Sequence, residues 1–216
     1  IPLSSIKRPN ALAVVIGNMQ YKETSWVKFA INDSYTIKNY LINAMGFDEN
    51  NIIYKENATL TDFNSYFGTS TSYKGNLYDR SRINIDEIFI YYSGHGAPDI
   101  NSNSTEPTGY FVPVDCDPNK VNLGGYSSET FFDNLNKLNI ENITVVLDAC
   151  FSGGSGSESG KGNIIKNVSS VRLKPKNIAN LESGILMSSS SGTQVSSWHE
   201  KEKHGLFTYY FLKSIQ

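Results

Sequence analysis

Residues 85–92 (IDEIFIYY), running into Ser93-Gly94-His95-Gly96, and residues 143–147 (ITVVL), running into Asp148-Ala149-Cys150, decide how this chain reads. Both are apolar runs of strand length, rich in β-branched and aromatic residues. Each ends abruptly in small residues and one reactive side chain, an imidazole in the first and a thiol in the second. In an open α/β sheet, sites gather just beyond the carboxyl ends of the strands. If the two runs are neighbouring parallel strands, His95 and Cys150 leave the sheet on the same rim. Ser93 and His95 share one side of their strand, and Asp148 and Cys150 share one side of theirs. Gly94 and Gly96 let the backbone turn sharply and approach a substrate, so the Gly96 and Cys150 N–H groups are candidates for an oxyanion hole.

Outward from these two runs, strand-like and helix-like segments alternate. Residues 12–17 (LAVVIG) read as a first buried strand, and residues 27–45 as a helix stopped by Gly46. Residues 51–55 form a second strand, and 60–67 a helical turn. Residues 110–114 (YFVPV) are an edge strand or hairpin arm, because Pro113 cannot donate to a central ladder. Residues 127–138 are helical, 184–188 (GILMS) are a fifth strand, and 205–215 a closing helix. The fold class is therefore α/β, with a mostly parallel central sheet flanked by helices. One domain, residues 1–216, accounts for the whole length. Residues 152–163 (SGGSGSESGKGN) break this order, and residues 152–182 read as a mobile or processing loop.

Composition removes several function classes. Nineteen basic against 21 acidic residues leave a net charge of −2, with no basic patch to suggest nucleic acid or an anionic membrane as partner. No apolar run approaches transmembrane length. Two cysteines make no disulfide framework, which reads as a reducing, cytoplasmic compartment or as cysteines kept for chemistry. The chain begins at Ile1 and stops in an amphipathic segment, which reads as a domain excised from a larger protein. There is no G-x-S-x-G elbow, no dinucleotide-binding glycine pattern, no P-loop and no zinc-ligand spacing. No cofactor is expected.

FIYYSGHG followed by VVLDACFSGG resembles the paired signatures of the caspase-like cysteine peptidases, in the metacaspase and bacterial caspase-like branch. AIND around Asp33 and the stretches SSSSGTQVSSW and HGLFTYYFL extend the resemblance from Leu12 to about Leu212. Asp148 stands where the caspase motif has Gln, and His95 and Cys150 lie 55 residues apart, against roughly 50 in caspases. The resemblance implies a caspase-hemoglobinase fold. It also implies a cysteine endopeptidase, with Cys150 as nucleophile and His95 as its partner, working through a thioester acyl-enzyme.

Metacaspases cut after Arg or Lys, and the positions matching their acidic first pocket are Asp33, Ser93 and Asp148. Two carboxylates and a hydroxyl suit a buried guanidinium and repel an Asp side chain. The expected partner is a protein or peptide with a basic residue before the cut. Lys161, Lys166, Arg172, Lys174 and Lys176 in the long loop are then candidate self-cleavage sites of a zymogen. The resemblance also leads to a monomer. Many metacaspases bind calcium through adjacent aspartates. Here Asp115 and Asp117 are followed by GGYSSET, too few hard oxygen ligands, so no metal is expected.

Blander readings compete at each position. Cys150 suits a buried structural thiol, His95 a turn histidine, Asp33 an exposed helix residue, Asp148 a turn cap, and Ser93 ordinary turn chemistry. His199 and His204 lie in a charged turn (WHEKEKHG), where His204 helps the last helix to start, and Cys116 is structural. As a whole, the alternative to a peptidase is a catalytically idle caspase-like domain that regulates or scaffolds within a larger signalling or defence protein.

Overall fold

The computed structural model describes residues 1, 3–100, 107–151, 154–155, 162–163, 181–189 and 197–215. Five parallel strands form the central sheet: β1 (Ala11–Gly17), β2 (Ile52–Glu56), β3 (Glu87–Ser93), β7 (Asn142–Asp148) and β10 (Ile185–Ser188). Their order is β10-β7-β3-β1-β2, so the chain first steps outward to β2 and then reverses through β3 to β7 and β10. The two runs that opened the sequence reading are neighbours, paired from Glu87↔Asn142 to Ser93↔Asp148.

Alternation along each strand builds two apolar layers. Leu12, Val14, Ile16, Ile88, Ile90, Tyr92, Val145 and Leu147 face one side, under α2 (Leu60–Phe67), α3 (Asn76–Ser81) and α5 (Ser128–Asn136). Ala13, Val15, Phe89, Tyr91 and Val146 face the other, under α1 (Ala30–Asn43) and α6 (Leu206–Ser214). Full burial of each large side chain in these layers contributes about 1.5–3 kcal/mol. Thr59 and Asp62 close a capping box that fixes where α2 starts.

A smaller antiparallel sheet sits over the rim, in the order β4-β5-β6: β4 (Gly96–Pro98), β5 (Gly109–Phe111) and β6 (Tyr126–Ser127). Between β5 and β6 the chain passes through a short turn and α4 (Val121–Gly124). The expected strand at 110–114 is thus the middle strand of this sheet and ends before Pro113, which has no N–H to pair. Two short antiparallel pairs complete the described chain, β8 (Gly154–Ser155) with β9 (Gly162–Asn163), and β11 (Trp198–His199) with β12 (His204–Gly205). Most of the loop at 152–182, with its candidate cleavage sites Lys161, Lys166, Arg172, Lys174 and Lys176, lies outside the described residues.

Two differences from the sequence reading bear on the rim. The first long helix begins at Ala30 rather than residue 27, because Phe29 is left-handed (φ 70°) and starts the helix without a side-chain cap. The hairpin β11–β12 carries no periodic signal and was not expected. Among the described residues no helix is long and apolar enough to cross a membrane.

Candidate active site

The last paired residues of β3 and β7 are Ser93 and Asp148, and the Gly94 N–H still donates to Asp148 O at 3.3 Å. His95 and Cys150 each follow two residues later, so the imidazole and the thiol leave adjacent strands at the same level. Both residues are buried, at 7% and 6% exposure. A methyl group on Gly96 would lie 2.9 Å from the Phe151 ring and 3.2 Å from Cys150 O. The main chain after His95 therefore rests directly on the main chain after Cys150.

His95 is held from three directions by groups that sequence reading did not single out. Its backbone N–H donates to Tyr21 Oη at 2.7 Å, and its carbonyl accepts the Tyr92 O–H at 2.7 Å. The Tyr21 ring packs against the imidazole, with centroids 4.6 Å apart. Nε2 lies 2.8 Å from the Ser25 carbonyl. A carbonyl only accepts, so the proton belongs on Nε2 and the lone pair on Nδ1. Burial pulls the imidazole down to about 4, against a smaller upward pull from Ser25, which keeps the ring neutral at ordinary pH. The loop between β1 and α1 supplies Tyr21 and Ser25, 74 and 70 positions away in the chain. Its polar, aperiodic sequence gives no local sign of that contact.

Beside this pair lies a buried acidic cluster. Asp33, in the first turn of α1, is 1% exposed, and Asp148 is 6% exposed. Asp33 Oδ2 accepts the Gly205 N–H at 2.9 Å, and its Oδ1 is 2.5 Å from His204 Nδ1. Asp148 Oδ2 accepts from Thr208 Oγ1 at 2.7 Å and from Thr208 N at 3.3 Å. Since the Thr208 hydroxyl proton is spent on Asp148, the Tyr91 O–H donates to Thr208 Oγ1 across 2.6 Å. Burial pushes the Asp33 carboxyl up to about 6, and the neighbouring Asp148 charge adds to the rise. The His204 and Gly205 hydrogen bonds oppose it. Ser93 is buried on the strand between these groups, level with Gly17 and Asp148.

Asp33, Ser93 and Asp148 thus come together at the rim that carries His95 and Cys150. Thr208 and His204 complete the cluster. Both stood in the stretch HGLFTYYFL, but their roles depend on contacts with residues 60 and 171 positions away. His199 stacks on Tyr209 instead, with centroids 4.2 Å apart. Cys116 is buried among Val114, Val121 and Ala97, where burial pushes its thiol up to about 12. That removes it from nucleophilic chemistry at neutral pH. Asp115 accepts the Leu60 N–H at the start of α2, and Asp117 caps the turn at Asn119.

Comparison with known proteins identifies the family. The family model described as Caspase domain matches residues 10–216. Metacaspase-1 of Eremothecium gossypii is 27% identical over 157 residues, which is 68% of this chain and 32% of that protein. The match therefore spans about a third of the relative's length.

Proposed function

This chain belongs to the caspase domain family of cysteine peptidases, and from that premise we propose that it is an endopeptidase cutting after Arg or Lys. The observation that carries the reading is the register Ser93↔Asp148. It leaves His95 and Cys150 two residues beyond neighbouring strand ends and Asp148 at the same rim, where Asp33 arrives from α1. His95 Nδ1, left with its lone pair by the Ser25 hydrogen bond, takes the Cys150 thiol proton. The sulfur adds to the scissile carbonyl, and the Gly96 and Cys150 N–H groups hold the oxygen as it becomes negative. When the C–N bond breaks, His95 returns the proton to the leaving amine, and a thioester remains on Cys150. Water, deprotonated by His95, then hydrolyses the thioester and restores the thiol.

Asp33 and Asp148 favour a basic side chain before the cut. Two buried carboxylates are costly without a counter-charge, and a guanidinium supplies one with a matching planar fork. An Asp side chain in the same place meets like charge. Self-cleavage at a basic residue of the loop after Cys150 follows from the same preference.

The test is hydrolysis of matched fluorogenic peptides with Arg, Lys, Asp or Leu before the cut, beside Cys150→Ala. Turnover confined to Arg and Lys and abolished in Cys150→Ala is the expected result. Turnover after Asp or Leu keeps the peptidase and removes the acidic-pocket assignment. No turnover on any peptide, before or after cleavage of the loop, turns the reading to an idle regulatory domain.

A further inference from the structure

His204 binds one of the two carboxylates on which the proposed preference for a basic side chain rests. Its Nδ1 lies 2.5 Å from Asp33 Oδ1, inside the cluster of Asp33, Asp148, Thr208 and Tyr91. This pairing has a physical reason. A carboxylate as buried as Asp33, with a second one nearby, needs a hydrogen-bonded partner when no substrate is present. His204 is that partner, delivered by the hairpin β11–β12.

The hairpin is held independently of the imidazole. The Gly205 N–H donates to Asp33 Oδ2, Asn32 Nδ2 donates to the Lys203 carbonyl at 2.7 Å, and Lys28 pairs with Glu200 at 2.8 Å. With those anchors kept, the His204 side chain alone can turn away from Asp33, and its own partial exposure (15%) gives it somewhere to go. The turn would release Oδ1 and leave Oδ2 on Gly205.

We propose that His204 is a resident competitor for the basic side chain of the substrate, and so a specificity-determining residue of the acidic pocket. This rests on the basic-residue preference proposed above. A guanidinium that displaces the imidazole from Asp33 Oδ1 replaces one hydrogen bond with two parallel ones. A lysine ammonium offers a single point charge and replaces it less well. His204 therefore raises the threshold for all basic side chains and favours Arg over Lys.

The probe is agmatine, which carries the guanidinium of an arginine side chain, bound to the Cys150→Ala chain and measured by calorimetry. His204→Ala in that background is expected to tighten agmatine about tenfold, the factor set by losing one charge-assisted competitor. In the chain with Cys150 intact, His204→Ala is expected to lower KM for Arg peptides by a similar factor and to narrow the Arg-to-Lys ratio of kcat/KM. Saturating agmatine should also shift the ring nitrogen signals of His204 in Cys150→Ala, a readout that needs no substitution at His204 itself. Equal agmatine affinity with and without His204, or ring signals that do not move, overturns this inference while the basic-residue preference stands. Failure of agmatine to bind either chain overturns both.

Discussion

Gly205→Ala adds one methyl group at the point where both buried carboxylates meet the C-terminal hairpin. Gly205 has φ −56° and ψ 140°, a conformation any residue adopts, so the glycine is there for space. The added Cβ would fall well inside contact distance of Asp148 Oδ2 and 3.1 Å from Asp33 Oδ2. Neither oxygen is at liberty to move. Asp148 Oδ2 holds Thr208 through two hydrogen bonds, and Asp33 Oδ2 holds the Gly205 N–H at 2.9 Å. Relief comes either from Asp148 swinging away from Thr208 or from the hairpin moving off Asp33. Hydrogen bonds to charged groups contribute about 1.5–3 kcal/mol each, and overpacking costs about 1–3, so the expected loss of stability is about 2–4 kcal/mol. Urea unfolding measures it as a lower midpoint at unchanged slope. The mechanism is isolated by repeating Gly205→Ala in an Asp148→Ala background, where the colliding oxygen is gone. There the methyl group should cost about 1 kcal/mol or less, giving a coupling of about 2 kcal/mol. A Gly205→Ala chain within about 0.5 kcal/mol of the parent, or strictly additive effects, would refute the packing argument.

Two further predictions use the buried titrating groups. His95 is neutral in the fold down to about pH 4 but takes a proton in the unfolded chain below 6.5. Its contribution is therefore present above 6.5 and is lost as pH falls towards 4. Relative to His95→Asn, the parent should lose about 3 kcal/mol across that window, and parallel stability curves would show that the ring is not desolvated as described. The Asp33 carboxyl is shifted the other way, upward, and its effect is on activity: it takes a proton as pH falls through about 6 and ceases to attract a cation. Hydrolysis of Arg peptides, followed as kcat/KM, should fall about tenfold per pH unit below that point. In Asp33→Asn the fall should begin only near the His95 value, and an unchanged limb would remove Asp33 from the pocket.

The central strands were legible because their signal is local. Residues 85–92 and 143–147 are apolar enough to be buried on both faces, and burial on both faces is what a parallel sheet under two helical layers requires. The reactive ends were legible for the same reason, since small residues after a strand mark where the sheet stops and a side chain emerges. The start of α1 lies three residues later than the helical period predicts, because apolar Val27 and Phe29 fit that period while Phe29 takes a left-handed turn. That turn belongs to the loop that brings Ser25 to His95.

From the amino-acid sequence alone came the α/β class, the family resemblance and the positions of Cys150, His95, Asp33 and Asp148. His95 and Cys150 stand out because each closes an apolar run that announces itself within about ten residues, whereas Asp33 and Asp148 are singled out as pocket residues only by the resemblance. Tertiary structure alone decided what surrounds them. Tyr21 and Ser25 fix the imidazole across 74 and 70 positions, and Thr208 and His204 engage the two carboxylates across 60 and 171. Those partners are short polar contacts without any repeat. Hydrogen-bond geometry in space, and not spacing along the chain, determines which donor a buried carboxylate finds.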